Sequence, residues 1–256
     1  MKITQIRSAT LIVEYAGKRF LVDPMLAPKD TYPGFPGTPN NHLRNPTVEL
    51  VTPMEDILAV DAVIVTHTHP DHWDQAAQTL IPKTLPIFVQ DEGDAQIVQS
   101  VGFHDVRILS EDSDFEGIAL TKTEGQHGSD AALAAIGGLL GEVSGVIFEH
   151  PDEKTVYLAG DTVWNKYVQS NLAKYLPDVV IINSGDAQIL GFGPIIMNKD
   201  DVLSVHQAAP NATLVATHME AVNHALLKRT ELRAFAAEHG MTHCLLVPED
   251  GETITL

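Results

Sequence analysis

Asp61-Ala62-Val63-Ile64-Val65-Thr66-His67-Thr68-His69-Pro70-Asp71-His72 decides how this chain is read. Its first five residues are mostly apolar and β-branched, which reads as a buried strand. Trp73 to Leu80, directly after it, reads as a short helix. His67 and His69 stand two apart, so on an extended chain both imidazoles leave the same side. Asp71 and His72 fall where the chain turns into the helix, and they reach a second point a few ångströms on. Four nitrogen and oxygen donors this close together suit two adjacent metal ions better than one. The stretch reads as a hydrolytic metal centre.

His-x-His-x-Asp-His after a hydrophobic strand also resembles the signature of the metallo-β-lactamase superfamily. The resemblance covers most of the chain, because further ligands follow in order, each after a strand-like run. His127 lies in Gly125-Gln126-His127-Gly128 after Ile118 to Thr123. Asp161 lies in Gly160-Asp161-Thr162 after Val156 to Ala159, and His218 follows Thr213 to Thr217. The resemblance implies an α/β (α+β) fold, a four-layer αββα sandwich formed as one domain over residues 1–256. It also implies a dinuclear site, with His67, His69 and His127 on one ion, Asp71, His72 and His218 on the other, and Asp161 bridging both.

The donors suit zinc first, with manganese or iron as alternatives, and no thiolate is offered. Two divalent ions would share a water, lower its pKa and orient it towards a carbonyl or phosphoryl centre. Asp71, with one oxygen free, is a catalytic candidate for holding the hydroxide or relaying a proton. His224, six residues past His218, is the second, as a substrate contact or general acid. Asp23 ends a strand-like run before Pro24, and in the resembling families an Asp here lies near the metals. It either fixes the tautomer of a ligand histidine or caps a turn. Asp186, with Asn183, and Arg44 are weaker candidates for the rim and the substrate.

Departures from other branches narrow the expectation. Asp161 stands where a large group of true β-lactamases has a bridging Cys. His69 replaces the glutamate that is second in the flavodiiron motif, and no flavin domain follows. Neither the capping domain nor the RNA-binding arm of the nuclease branches finds room. What remains resembles the compact branch that includes ascorbate-6-phosphate lactonase-like and N-acyl-phosphatidylethanolamine phospholipase-like proteins. This chain is shorter than those named members, so their substrates do not transfer. The expected activity is hydrolysis of a small-molecule lactone, thioester or phosphodiester. A diiron redox enzyme and a non-catalytic metal-binding protein are the alternatives.

With 256 residues, 44% of them hydrophobic, the chain can bury a large core. A formal net charge of −18 argues against nucleic acid or an anionic membrane surface as partner and points to a small-molecule substrate. No apolar signal segment opens the sequence, and its one cysteine, Cys244, allows no internal disulfide; both fit a reducing cytoplasm. The most apolar stretch, Ala131 to Phe148, is broken by glycines and Glu142, against a membrane span. Homo-oligomerisation is left open.

Residues 2–22 read as an opening three-stranded meander. Pro28 to Pro53, rich in Pro, Gly and Asn, reads as a lid or binding loop or as an Ω-loop over a sheet edge. Glu111 to Asp114 reads as a solvated acidic turn, and the glycines after Ala131 leave no firm helix there. Asn198 with Asp201 resembles a helix start, and Gly240 a helix stop.

Overall fold

Alternation of apolar residues lays down two sheets, and the computed structural model describes residues 1–256. The opening meander is β1 (Lys2–Arg7), β2 (Thr10–Tyr15) and β3 (Lys18–Val22). It is followed by α1 (Met54–Leu58), β4 (Ala62–Val65), α2 (Gln75–Leu80), β5 (Ile87–Val89), α3 (Glu92–Ser100) and β6 (Val106–Ile108). The second half runs β7 (Asp114–Phe115), β8 (Ile118–Glu124), α4 (Asp130–Leu140), β9 (Ser144–Glu149), β10 (Val156–Leu158), α5 (Lys166–Tyr175) and β11 (Val179–Asn183). A small hairpin, β12 (Gln188–Ile189) and β13 (Gly193–Pro194), precedes α6 (Lys199–Ala208), β14 (Thr213–Thr217), α7 (Arg229–Glu238), β15 (Leu245–Leu246) and β16 (Thr253–Thr255).

Each sheet has seven strands, in the orders β16-β1-β2-β3-β4-β5-β6 and β15-β14-β11-β10-β9-β8-β7. In the first, β3 to β6 pair in parallel; in the second, β10, β11, β14 and β15 do. Side chains sort by the two-residue strand period. On β2, Leu11, Val13 and Tyr15 join the core between the sheets, whereas Ile12 joins the core under the helices; on β4, Ala62 and Ile64 divide from Val63 and Val65 in the same way. Phe148 closes the inter-sheet core, edge-on to Tyr15 at 5.7 Å and to Phe20 at 5.5 Å. One outer layer packs Ile57, Ala77, Ala95 and Val98 from α1 to α3 on the first sheet, and the other packs Val168, Val202 and Leu232 from α5 to α7 on the second. The result is the expected αββα sandwich. No helix is long and apolar enough to cross a membrane.

The structure departs from the sequence reading in local detail. The expected helix at Trp73 begins at Gln75, because the Trp73 N–H donates to the His69 carbonyl and Asp74 caps the helix by accepting from the Ala77 N–H. Residues 130–140 do form a helix, capped by Ser129, with Ile136 off the helical conformation just before Gly137-Gly138. The acidic turn already starts β7 at Asp114. The helix α1 and the β12–β13 hairpin carried no recognised sequence signal.

Parallel pairing brings strand ends together. The C-terminal ends of β3, β4, β8, β10 and β14 deliver Asp23, Thr66 to His72, His127, Asp161 and His218 to one edge of the sandwich. Such edges are where open α/β sheets place ligands.

Candidate metal centre

Three overlapping groups of donors meet there: His67, His69 and His127; His67, His72 and Asp161; and Asp71, His72 and His218. Within each group the donor atoms lie within 4.8 Å of one another. Asp161 is central. One of its oxygens, Oδ2, lies 3.2 Å from His72 Nε2, 3.8 Å from His127 Nε2 and 3.9 Å from His67 Nε2. Its other oxygen, Oδ1, lies 3.7 Å from His218 Nε2, and Asp71 Oδ2 lies 3.4 Å from that same nitrogen. The carboxylate therefore faces both histidine groups. Gly160 makes this approach feasible, since its φ of +70° suits glycine and a Cβ there would run into the Ser144 carbonyl.

The imidazoles are aimed by partners behind them. His127 Nδ1 donates to the Ile195 carbonyl at 2.9 Å, and His218 Nδ1 meets Ser8 Oγ at 3.2 Å. Asp23 orients two histidines at once. Its Oδ2 accepts from His72 Nδ1 at 2.9 Å and from Thr66 Oγ1 at 2.8 Å, and Thr66 Oγ1 in turn meets His67 Nδ1 at 3.2 Å. Asn183 Nδ2 donates to Asp161 Oδ1 at 2.6 Å. The turn between His67 and His69 is tied by Thr68 Oγ1 donating to Asp94 Oδ1 at 2.6 Å. The Nδ1 ties of His67, His72, His127 and His218 leave Nε2 of each ring facing inward, as metal-bound histidines require.

Electrostatics agree with the geometry. Burial, reinforced by the charges of His72 and His69, holds His67 well below the usual histidine range. Burial pushes His127 down to about 4. Burial raises a carboxyl, yet the charges of His72 and His218 keep Asp161 well below its usual range. Asp71 is likewise held low against burial, by its hydrogen bond from His218 and the charge of His72. His72 goes the other way: burial lowers it, but Asp161 and Asp23 hold it well above the usual value. Imidazole nitrogens converging on ionised carboxylates fit divalent metal ions. His72, held protonated by its two carboxylates, must release a proton on binding.

Two outcomes follow for the metal-free protein. Loading with zinc at a hundredfold excess over its dissociation constant adds about 2.7 kcal/mol per site. In a chain of this size that is about 5–10 °C in Tm, which calorimetry reads and excess chelator reverses. Acidification weakens retention, because protons compete for these nitrogens. An unchanged Tm with and without metal would contradict the assignment.

Above the donors lies a pocket of about 240 Å³, walled by Phe35, Pro36, Leu139, Leu140, Ile189 and Ile195. His69, Asp71, His127, Asp161 and His224 line it as well, and neither Lys nor Arg does. His224 is buried and edge-on to Phe35, with ring centroids 4.9 Å apart. Its Nδ1 has no partner, and burial pushes its pKa down to about 4.

Two weaker candidates lie elsewhere. Arg44 is exposed and donates to the carbonyls of Asp30 and Thr31, within its own loop. Asp186 lines a separate cavity of about 560 Å³ between the β12–β13 hairpin and α7, and accepts from Gln188. Of the supporting residues, Thr66 and Ser8 carry no recognised sequence signal of their own, and Asn183, expected at the rim, lies behind Asp161. A polar Thr ending a buried strand beside the histidines was the one available signal.

The fold and the paired donor clusters define a metallo-β-lactamase-type protein. The model of the "Beta-lactamase superfamily domain" family matches residues 18–219, and the chain belongs to that family. Within it, the UPF0173 protein YddR of Bacillus subtilis is 49% identical over 256 residues, all of both chains. The crystal structure of an isothiocyanate hydrolase from Delia radicum gut bacteria is 52% identical, with a TM-score of 0.97 over 100% of this chain and 99% of that one. A possible metal-dependent hydrolase from Veillonella parvula is 48% identical, with a TM-score of 0.98 over the same shares.

Proposed function

We propose that this protein is a dinuclear metal-dependent hydrolase acting on a small, neutral, apolar-substituted substrate, an organic isothiocyanate foremost. The observation that carries the substrate class is the pocket, with its apolar walls and no cation. A phosphodiester or other anion would find nothing to balance its charge there except bound metal. The relative named for isothiocyanate hydrolysis supplies the bond type. Lactones and thioesters, the uncharged members of the expected set, remain the next candidates, and a location in the cytoplasm goes with this reading.

His67, His69 and His127 would hold one ion and Asp71, His72 and His218 the other, with Asp161 between them. When bound, the ions supply Lewis acidity and a water whose pKa approaches neutrality. Phe35, Leu139, Leu140 and Ile195 hold the substituent of R–N=C=S and keep bulk water from the reacting carbon. Water adds across C=N, its oxygen to carbon and its proton to nitrogen. The resulting thiocarbamic acid R–NH–C(=S)–OH passes its hydroxyl proton to nitrogen as the C–N bond breaks, giving R–NH2 and carbonyl sulfide, so atoms balance with one water. Asp71 accepts the proton of the attacking water. His224, unpartnered at Nδ1, takes that proton from Asp71 and passes it to the substrate nitrogen.

The test is a panel of benzyl isothiocyanate, a γ-lactone, a thioester and a phosphodiester, offered to protein loaded separately with zinc, manganese and iron. Amine and carbonyl sulfide should appear from the isothiocyanate, with the phosphodiester at least about a hundredfold slower. Faster phosphodiester cleavage would overturn the substrate assignment.

A further inference from the structure

Asn223 is 2% exposed, and all its polar atoms engage the Pro/Gly-rich loop between β3 and α1. Its Oδ1 accepts from the Phe35 N–H at 3.0 Å and from Asn45 Nδ2 at 2.9 Å. Its Nδ2 donates to Thr38 Oγ1 at 2.8 Å and to the Pro39 carbonyl at 2.7 Å. Its own N–H donates to Asn45 Oδ1 at 2.8 Å, and its carbonyl accepts from Asn40 Nδ2 at 3.3 Å. A primary amide has two donors and two acceptor positions, and here all are filled. Aspartate would turn a carboxylate oxygen on the Pro39 carbonyl, and alanine would leave buried partners unpaired.

The clamped loop has no helix or strand of its own, only a bridge between Tyr32 and Asn45. Near residues 35–39 its other tie is the Leu190 N–H on the Gly37 carbonyl. Phe35, Pro36 and Thr38 from this loop line the metal pocket, and the residue after Asn223 is His224, against which the Phe35 ring rests. Thr38 extends the clamp by donating to the Phe35 carbonyl at 2.6 Å.

We propose that Asn223 is a specificity-determining positioning residue, which fixes the Phe35 wall at a set distance from the donor clusters and so selects substituents that fill the pocket. The role rests on the proposed reading of the site as one that binds metal and an apolar group. It acts through Phe35 and His224, without touching the reacting atoms.

The test needs no turnover. Cobalt(II)-substituted protein is titrated with ethanethiol and 2-phenylethanethiol, whose thiolates bind the metal while the substituent meets the wall, and visible absorption reads the affinity. Wild type should prefer the phenyl-bearing thiol about tenfold or more, the worth of burying one aromatic ring. In Asn223→Ala the preference should fall to about twofold, with ethanethiol affinity nearly unchanged; Thr38→Val should fall between. Thr38→Val decides the question if Asn223→Ala does not fold. A preference kept in the variants, a preference absent in wild type, or a proportional weakening of both thiols with a lower Tm would overturn the proposal. Failure of the hydrolase reading is distinguishable, because it appears as a wild type that binds both thiols but turns over no substrate.

Discussion

Replacing Asp161 by Asn lowers turnover by about a thousandfold or more and takes the metal content from two ions to one or fewer. The cause is charge. Asp161 is buried amid His67, His72, His127 and His218, all with a nitrogen within 3.9 Å of its carboxylate. In the proposed dinuclear site two divalent ions would need that negative charge between them, and Asn keeps the shape without it. The amide also meets the Asn183 Nδ2 now donated to Oδ1. Metal analysis beside steady-state kinetics checks this result. A variant with two bound ions and activity within tenfold of wild type would remove Asp161 from the role of bridge.

Asp23→Asn is expected to weaken metal binding about 10–100-fold while leaving the backbone in place. Asp23 sits at φ +46°, a conformation that Asn also adopts. Its two oxygens accept three hydrogen bonds, from the Thr66 N–H, Thr66 Oγ1 and His72 Nδ1. An amide has one oxygen, so at least one of these donors is left facing an NH2. His72 loses its fixed tautomer, or His67 loses the Thr66 relay that aims it. Competition with a chromophoric chelator gives the affinity. Unchanged affinity would reduce Asp23 to a turn residue.

Much of the fold was legible because strand alternation is local in sequence, and so was the donor run Thr66 to His72; the distant donors His127, Asp161 and His218 came with the family resemblance. The alternation in β2 and β4 sets their faces, and the expected ligand residues lie at or just after strand ends. What was not legible depends on contacts distant in sequence. Asn223 acts on residues 35–45, Ser8 meets His218, and Asn183 supports Asp161. No spacing rule encodes these pairs; they exist only once parallel strands bring their ends together. Arg44 and Asp186 show the converse. A cation in a flexible-looking loop and an acid beyond a strand suggest a rim, yet one is taken up by its own loop carbonyls and the other faces a different cavity.

The loop from residue 28 to 53 illustrates the same limit. Its Pro and Gly content fits a lid or binding loop as well as an Ω-loop over a sheet edge. The Asn223 bonds and the Leu190 tie make it a wall around residues 35–39.

The most direct test of a paired-metal hydrolase is to strip the protein of metal and add zinc stepwise while measuring amine release from benzyl isothiocyanate. Turnover should be absent at the start, rise with added zinc and level off at two equivalents. Full turnover without metal, or none with two equivalents bound, would contradict it.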